Sequence, residues 1–324
     1  MTMIPNRLKK GDKVMVIAPS RGLKLIGADC RQIATERLKA MGLDVVFAKN
    51  TTDEYFDMMG SGEIKRRAAD INEAFADSSV KAVLTVIGGF NSNQLLKYID
   101  YDMIKKNPKI FMGFSDITAL HAAIYAQTGL VTYYGPHYSS LGMLKGCEYT
   151  LESMKKVLFE GGDYELKASK EWSDDLWFID QEKREFIQNE GWWHIENGDA
   201  EGRIIGGNLC TFILTLGTPY RPKFEENTIL FIEDDAGSAP ETFDRNLQAL
   251  IYQEDFKNVK GLVIGRFQKG SNMSREKLEF ILNKKELKNM PIIANIDMGH
   301  TTPIATIALG AKAKLENGRI FIKN

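Results

Sequence analysis

The stretch Asn107–Ile124, NPKIFMGFSDITALHAAI, places a short apolar run directly before a segment with helical apolar spacing. The run predicts a buried strand and the segment predicts a helix, with Ser115 at the join. A strand that enters a helix with almost no loop puts the joining residue on a sharp turn at the rim of a sheet. That is the geometry of a nucleophile elbow, although Ile117 stands where the usual G-x-S-x-G pattern closes. A serine that only caps the helix is the commoner alternative.

The same alternation of strand and helix runs through the first half of the chain. Apolar strands are predicted over residues 12–20, 43–50, 80–89 and 109–115, and helices over residues 27–41, 61–77, 91–99, 116–129 and 149–160. Continuous apolar strands separated by amphipathic helices predict a doubly wound, mostly parallel sheet over residues 1–165. Ligands bind at the carboxyl ends of such strands, which singles out the turns after Ala18, Ile87 and Phe114.

Residues 166–199 differ in character from the rest of the chain. The segment is polar and acidic, yet it holds all four tryptophans. A flexible linker would be poor in large aromatics, so a binding loop or lid is expected here. Residues 200–324 return to alternating strands and helices and end in a hairpin turned by Asn317-Gly318, which predicts a smaller mixed α/β domain. The active site is then expected in the cleft between the two domains.

Composition argues against several classes of protein. The formal net charge of −1 leaves no bulk excess of cations for a nucleic-acid backbone, and no apolar run is long enough to span a membrane. The N-terminus lacks the pattern of a secretion signal. Three scattered cysteines predict neither a disulfide framework nor a metal site. Nucleotide-cofactor, phosphate-loop and zinc-protease fingerprints are missing. We therefore expect a cytoplasmic protein without cofactor or metal.

A nucleophilic serine needs a base and an orienting acid. The chain has four histidines, of which His137 could line the rim near Ser115 and His300 follows a predicted strand in IDMGHTTP. Glu233 closes another predicted strand and is followed by two more acids. A solvated loop histidine, and acids that favour the start of a helix, are the simpler interpretations. The order Ser, acid, His occurs in other hydrolases but proves little by itself.

Four separated motifs, GFSDITAL, GRIIGGNL, FIEDD and DMGHTTP, resemble the serine peptidase family that contains the LD-carboxypeptidases and the microcin C immunity peptidases. The similarity runs nearly end to end. It implies Ser115 as nucleophile, Glu233 as acid and His300 as base, with an oxyanion hole formed by the backbone amides of Gly89 and Asp116. It also implies that the protein is a homodimer.

One departure points to a branch of that family. LD-carboxypeptidases typically carry an arginine before the glycine pair, whereas Ile87 stands there in this chain. The long tryptophan-bearing segment also resembles the microcin C immunity branch, in which an aromatic residue stacks on the adenine of a peptidyl-nucleotide. Trp177 or Trp172 is the candidate for that contact, or the tryptophans only anchor the loop or a dimer contact. Asn208 is a candidate for substrate binding or simply turns the chain.

Three functions follow as alternatives. The first is a carboxypeptidase-like hydrolase that cleaves an amide in peptidyl- or aminoacyl-nucleotides. The second is an LD-carboxypeptidase that removes terminal D-Ala from cytoplasmic muropeptides. The third is a non-enzymatic protein that closes its cleft on a small molecule and does not need Ser115, Glu233 and His300 within reach of one another.

Overall fold

The chain builds two large β-sheets, described here from a computed structural model over residues 2–52 and 56–324. The strands of the first sheet are β1 (Lys13–Ile17), β2 (Asp44–Phe47), β3 (Val80–Thr85), β4 (Ile110–Gly113), β5 (Thr132–Tyr134) and β14 (Ile307–Leu309). They lie in the order β14-β5-β4-β3-β1-β2, and all neighbours are parallel except β14, which runs antiparallel to β5. The succession β2-β1-β3-β4-β5 is a doubly wound order whose switch point lies between β1 and β3, which confirms the predicted fold class.

Helices cover both faces of this sheet because its strands are apolar on both sides. On β3, Ala82 and Leu84 pack in one core with Leu38, whereas Val83 packs in another core with Phe75. The helices of this half are α1 (Ala28–Ala40), α2 (Ile64–Ala76), α3 (Tyr101–Lys106), α4 (Thr118–Thr128) and α5 (Glu148–Lys155). Alternating contacts of this kind explain why the strands read as continuous apolar runs rather than as alternating ones.

One predicted helix differs in form. Residues Ser92–Tyr98 make 3₁₀ turns instead of an α-helix. The N–H of Ser92 donates to the Asp116 carboxylate at 2.9 Å, and its hydroxyl donates to the Asp116 carbonyl at 2.6 Å. Side-chain bonds of this sort hold the start of the segment in a conformation that competes with a regular helix.

The second sheet has a parallel centre flanked by antiparallel strands, as expected of a mixed α/β unit. Its strands are β6 (Tyr164–Leu166), β9 (Trp193–Glu196), β10 (Ala200–Asn208), β11 (Thr228–Glu233), β12 (Val259–Gly265), β13 (Ile292–Ile296), β15 (Lys312–Glu316) and β16 (Arg319–Lys323). They lie in the order β6-β16-β15-β10-β11-β12-β13-β9, with β10 to β13 parallel. The helices α6 (Leu209–Phe212), α7 (Pro240–Ile251) and α8 (Arg275–Leu282) belong to this half.

The two sheets exchange strands. The late strand β14 completes the edge of the first sheet, while β6 and β9 extend the second sheet at its two ends. The predicted tryptophan segment supplies β9 and a small ribbon of β7 (Glu171–Trp172) and β8 (Ile187–Gln188). The division at residues 165 and 199 remains a prediction, since the chain crosses between the sheets on both sides of it. No helix among the described residues has the length and apolarity needed to cross a bilayer.

Candidate active site

Ser115 lies two residues after the end of β4, opens the turn that leads into α4, and has a positive φ of 61°. A left-handed conformation costs a non-glycine residue about 1–3 kcal/mol and persists only where neighbours enforce it. Here the Ser115 N–H donates to the Tyr134 hydroxyl at 3.1 Å. Its own hydroxyl lies 2.8 Å from His300 Nε2, so it contacts an imidazole and makes no cap bond to the helix. Gly113 is required before it, because a β-carbon there would lie 2.2 Å from Thr85 Oγ1.

Glu233 ends β11 and is fully buried. One carboxylate oxygen, Oε1, accepts from the Tyr134 hydroxyl at 2.6 Å and from Asn208 Nδ2 at 3.1 Å. The other oxygen, Oε2, lies 2.7 Å from His300 Nδ1. A buried charge is tolerated only when its hydrogen-bonding capacity is filled, and these three donors fill it.

His300 lies in the loop after β13 and bridges the two sheets, since Ser115 belongs to the first and Glu233 to the second. Gly299 lets this loop pass close to Glu233, because a β-carbon there would lie 2.1 Å from Glu233 Oε2. Its φ of +103° is also one that favours glycine. Burial lowers the pKa of the imidazole, but the neighbouring Glu233 carboxylate and the charges of Asp235 and Asp234 outweigh it. The pKa of His300 is therefore raised above its ordinary value of 6.5.

Asn208 lies behind Glu233 and does not line the cleft. Its side chain is 1% exposed, donates to Glu233 Oε1 and Asp234 Oδ1, and accepts from the N–H of Thr211 as the cap of α6. Asp234 is also buried and accepts from the Ser238 hydroxyl at 2.7 Å. Burial, followed by the charge of Glu233, raises the pKa of Asp234 to about 6. Asn208 thus supports the acid, and a direct contact with substrate remains a prediction.

The loop that carries Gly89 is tied to the turn that carries Ser115. The buried Asp116 carboxylate accepts from the Ser20 hydroxyl at 2.6 Å and from the backbone N–H groups of Asn91 and Ser92 at 3.1 and 2.9 Å. A β-carbon on Gly89 would lie 2.3 Å from Ser20 Oγ, so the loop passes this point only with glycine. The side chain of Asp116 therefore fixes the spacing between the two predicted oxyanion amides.

A cleft of about 320 Å³ opens above Ser115 and His300. Trp177 lines it, whereas Trp172 lies elsewhere with its ring under the guanidinium of Arg266 at 5.2 Å and the ammonium of Lys269 at 5.9 Å. The tryptophan segment thus contributes one of its two candidate residues to the cleft. The other described lining residues come from four loops of the first sheet, two loops of the second half and the tryptophan segment: Arg21, Ile87, Gly88, Gly89, Phe90, Phe114, His137, Ser139, Ser140, Met143, Phe178, Asp235, Thr301, Thr302 and Ile304.

Two residues of the site, Tyr134 and Arg21, were not predicted from the sequence. Tyr134 touches both Ser115 and Glu233, and its buried hydroxyl has a pKa raised well above its ordinary value by burial and by the Glu233 charge. Its place at the end of β5, beside β4, is the signal that could have found it. Arg21 lines the cleft from the loop after β1. The sequence predicted that ligands bind at this turn but did not point to Arg21. His137, expected near the rim, does line the cleft.

Family models match both halves of the chain. The N-terminal domain of LD-carboxypeptidase matches residues 14–135, and the C-terminal domain of LD-carboxypeptidase matches residues 201–315. These two matches cover most of the chain and both of its sheets. They confirm the resemblance seen in the four motifs.

Individual proteins give the same result. The crystal structure of an MccF-like protein from Bacillus anthracis is 47% identical and superimposes with a TM-score of 0.96 over 100% of both chains. The microcin C7 self-immunity protein MccF of Escherichia coli is 34% identical over 291 residues, 87% of this chain and 83% of its own. Its complex with aspartyl sulfamoyl adenosine superimposes with a TM-score of 0.89 and 32% identity over 99% of this chain and 98% of that one. A “Probable murein peptide carboxypeptidase” of Bacillus subtilis is 33% identical over 320 residues, 96% of this chain and 91% of its own.

Proposed function

We propose that this chain, which belongs to the LD-carboxypeptidase family of serine peptidases, hydrolyses an amide bond through Ser115, His300 and Glu233. The observation that carries the proposal is the unbroken line of hydrogen bonds from Glu233 Oε2 through the imidazole to Ser115 Oγ, at 2.7 and 2.8 Å. Both distances suit proton transfer, and the line ends at the floor of the cleft.

In the first half-reaction His300 Nε2 takes the Ser115 proton while Oγ attacks the carbonyl carbon. Glu233 accepts from Nδ1–H, holds this tautomer and stabilises the imidazolium that forms. The imidazolium then gives its proton to the leaving nitrogen, the C–N bond breaks, and an ester on Ser115 remains. In the second half-reaction His300 takes a proton from water, the hydroxide attacks the ester, and the acid leaves as Ser115 recovers its proton.

The negative oxygen of each tetrahedral intermediate is assigned to the N–H groups of Gly89 and Asp116. Within residues 2–52 and 56–324, neither N–H has a hydrogen-bond acceptor. The Asp116 side chain, bonded to Asn91 and Ser92, holds these two donors at a set spacing before any substrate arrives. Preorganised donors of this type are worth roughly 3–4 kcal/mol each in the transition state.

For the substrate we favour a peptidyl- or aminoacyl-nucleotide. The solved complex of the E. coli immunity protein contains aspartyl sulfamoyl adenosine. In this chain the indole of Trp177 lines the cleft beside Ser115 and could stack on such a base. Terminal D-Ala of a muropeptide is the second candidate. It is favoured by the family name and by the B. subtilis murein peptide relative, whose 33% identity to this chain is close to the 34% of the immunity protein. Assaying an acyl-sulfamoyl adenosine and a muramyl tetrapeptide side by side tests the choice. Faster turnover of the tetrapeptide would overturn our preference.

Trp177→Ala is expected to lower kcat/KM for an acyl-sulfamoyl adenosine about 10- to 100-fold, since one base-on-aromatic stack contributes roughly 1–3 kcal/mol. Trp177→Phe retains a ring and should lose much less. Trp172→Ala serves as the matched control, because Trp172 lies under Arg266 outside the cleft. Steady-state kinetics on these three variants decide which tryptophan binds adenine. A larger loss in Trp172→Ala would reverse the assignment.

The pH profile of kcat/KM should show an acid limb above pH 6.5. The pKa of His300 is raised by Glu233, and only the neutral imidazole can accept the Ser115 proton. Activity is therefore present above that pKa and is lost as the pH falls through it. Asp234→Asn tests the other candidate for this limb, because burial raises the pKa of Asp234 to about 6. The limb should remain in this variant, at a somewhat lower pH, since the Asp234 charge helps to raise the pKa of His300. The assignment of the acid limb to His300 would be contradicted if the parent shows the limb at or below pH 6.5 and Asp234→Asn shows none.

A further inference from the structure

Arg21 lies just beyond β1, on one side of the point where the strand order of the first sheet reverses. On the other side, β3 leads into Gly88 and Gly89. The N–H of Arg21 donates to the Gly88 carbonyl at 3.3 Å, so the two loops are joined at this point. Doubly wound sheets bind their ligands in the crevice at such a switch point.

The side chain of Arg21 extends along the loop that carries the proposed oxyanion amide. Its Cγ lies 3.1 Å from the position that a β-carbon on Gly89 would occupy, and its guanidinium carbon lies 5.1 Å from the centre of the Phe90 ring. The stem is thus packed against the glycine loop and the charged end rests on an aromatic face. The guanidinium is held at the cleft by these contacts.

No carboxylate in the described ranges, 2–52 and 56–324, forms an ion pair with Arg21, although the residue is half-buried. Other half-buried arginines do have such partners, for example Arg221 with Asp255 at 2.5 Å. Among the described residues that line the cleft, Arg21 is the cation and Asp235 is the carboxylate. Asp235 is near enough to His300 to raise its pKa. An anionic group in the cleft is therefore attracted to Arg21 and repelled from the wall that carries Asp235.

We propose that Arg21 is the anion-binding residue of the cleft and takes the negative group that the substrate carries beside its scissile amide. This inference rests on the proposed function and assigns it a recognition element. A guanidinium donates two parallel hydrogen bonds to a carboxylate, a phosphate or a sulfamoyl group. Two sources supply such a group within a few bonds of the scissile nitrogen: the terminal carboxylate of a peptide and the sulfamoyl or phosphoryl group of an acyl-nucleotide.

Each source is tested by a pair of substrates that differ in this charge. One pair is a muramyl tetrapeptide with a free terminal carboxylate and its terminal carboxamide. The other pair is aspartyl sulfamoyl adenosine and the aspartyl amide of 5′-amino-5′-deoxyadenosine. Arg21→Gln should lower kcat/KM about 10- to 100-fold for the anionic member that the parent cleaves, and less than about threefold for its neutral partner. The responding pair identifies the source of the anion.

Lys24→Gln is the matched control, because Lys24 is an exposed cation three residues away that does not line the cleft. It should leave the parent values unchanged for all four substrates. An equal loss on charged and neutral members in Arg21→Gln would mean that Arg21 only supports the loop, and no loss on either would mean that it plays no part. Both outcomes overturn the inference.

Binding separates this inference from the proposed function. On full-length Ser115→Ala protein, calorimetry should give a dissociation constant for each anionic ligand that binds, and adding Arg21→Gln should weaken it about 10- to 100-fold. If the parent hydrolyses nothing and this weakening is still seen, the proposed function fails and the anion site stands. If the parent is active and the weakening is absent, or if no anionic ligand binds, the anion site fails.

Discussion

Ser115→Ala is expected to lower kcat for amide hydrolysis by about 10⁶-fold, which is the effect of deleting the nucleophile of a serine hydrolase whose parts act as a unit. The variant should keep the fold. Removing the hydroxyl loses only its hydrogen bond to His300, and the bond from the backbone N–H of residue 115 to Tyr134 is retained. Rates are measured on an acyl-sulfamoyl adenosine, and the melting temperature reports folding. Fluorophosphonate labelling of the parent at Ser115, absent in the variant, would add direct evidence of a reactive alcohol.

Ser78→Ala is a suitable control, since Ser78 is exposed in the turn between α2 and the start of β3 and does not line the cleft. It should keep full activity. If Ser115→Ala is as active as the parent while remaining folded, the covalent mechanism is wrong and hydrolysis must use another group.

Glu233→Gln is expected to cost about 10³- to 10⁴-fold in kcat, with little loss of folded protein. The Tyr134 hydroxyl and Asn208 Nδ2 both donate to Oε1, so the amide oxygen of the new glutamine takes that place. Its NH₂ group then faces His300 Nδ1 and donates to it. The imidazole must carry its proton on Nε2, which removes the lone pair that should accept the Ser115 proton.

The matched control for this change is Glu241→Gln, an identical substitution at an exposed position in the first turn of α7. It should leave the rate unchanged and lower the free energy of unfolding by no more than about 1 kcal/mol, through the loss of a favourable charge at the start of the helix. Full activity in Glu233→Gln would show that the acid does not set the tautomer of His300. A loss of the same size in Glu241→Gln would show that the effect is unrelated to the cleft.

The sequence predicted the fold and the three aligned residues for different reasons. The doubly wound sheet follows from the alternation of apolar strands and amphipathic helices, which is a local property. Ser115, Glu233 and His300 stood out because each lies at or just beyond the end of a predicted strand, and the family resemblance joined them. Their hydrogen bonds depend on side chains that meet only after folding. Tyr134 illustrates this, since nothing in the local pattern YYGP says that its hydroxyl reaches a carboxylate 99 residues away.

The placement of the tryptophan segment was harder to predict. Its composition indicated a binding element, but which ring reaches the cleft depends on how the ribbon of β7 and β8 packs against Arg266. Asn208, in the motif GGNL, was a candidate for substrate contact or for turning the chain; its side chain donates to Glu233, and the substrate contact remains a prediction. Short polar side chains at strand ends can face either the ligand or the core, and pattern alone does not separate the two. Dimer formation remains a prediction.

Strand β14 follows shortly after His300 and pairs with β5, which ends in Tyr134 beside the nucleophile turn. The ladder between these strands links the histidine loop to the half of the chain that carries the serine. A gene fragment that encoded only the first half would lose this strand and leave β5 as a bare edge. We therefore expect gene fission, or the transfer of one half into another protein, to impair folding before it affects chemistry.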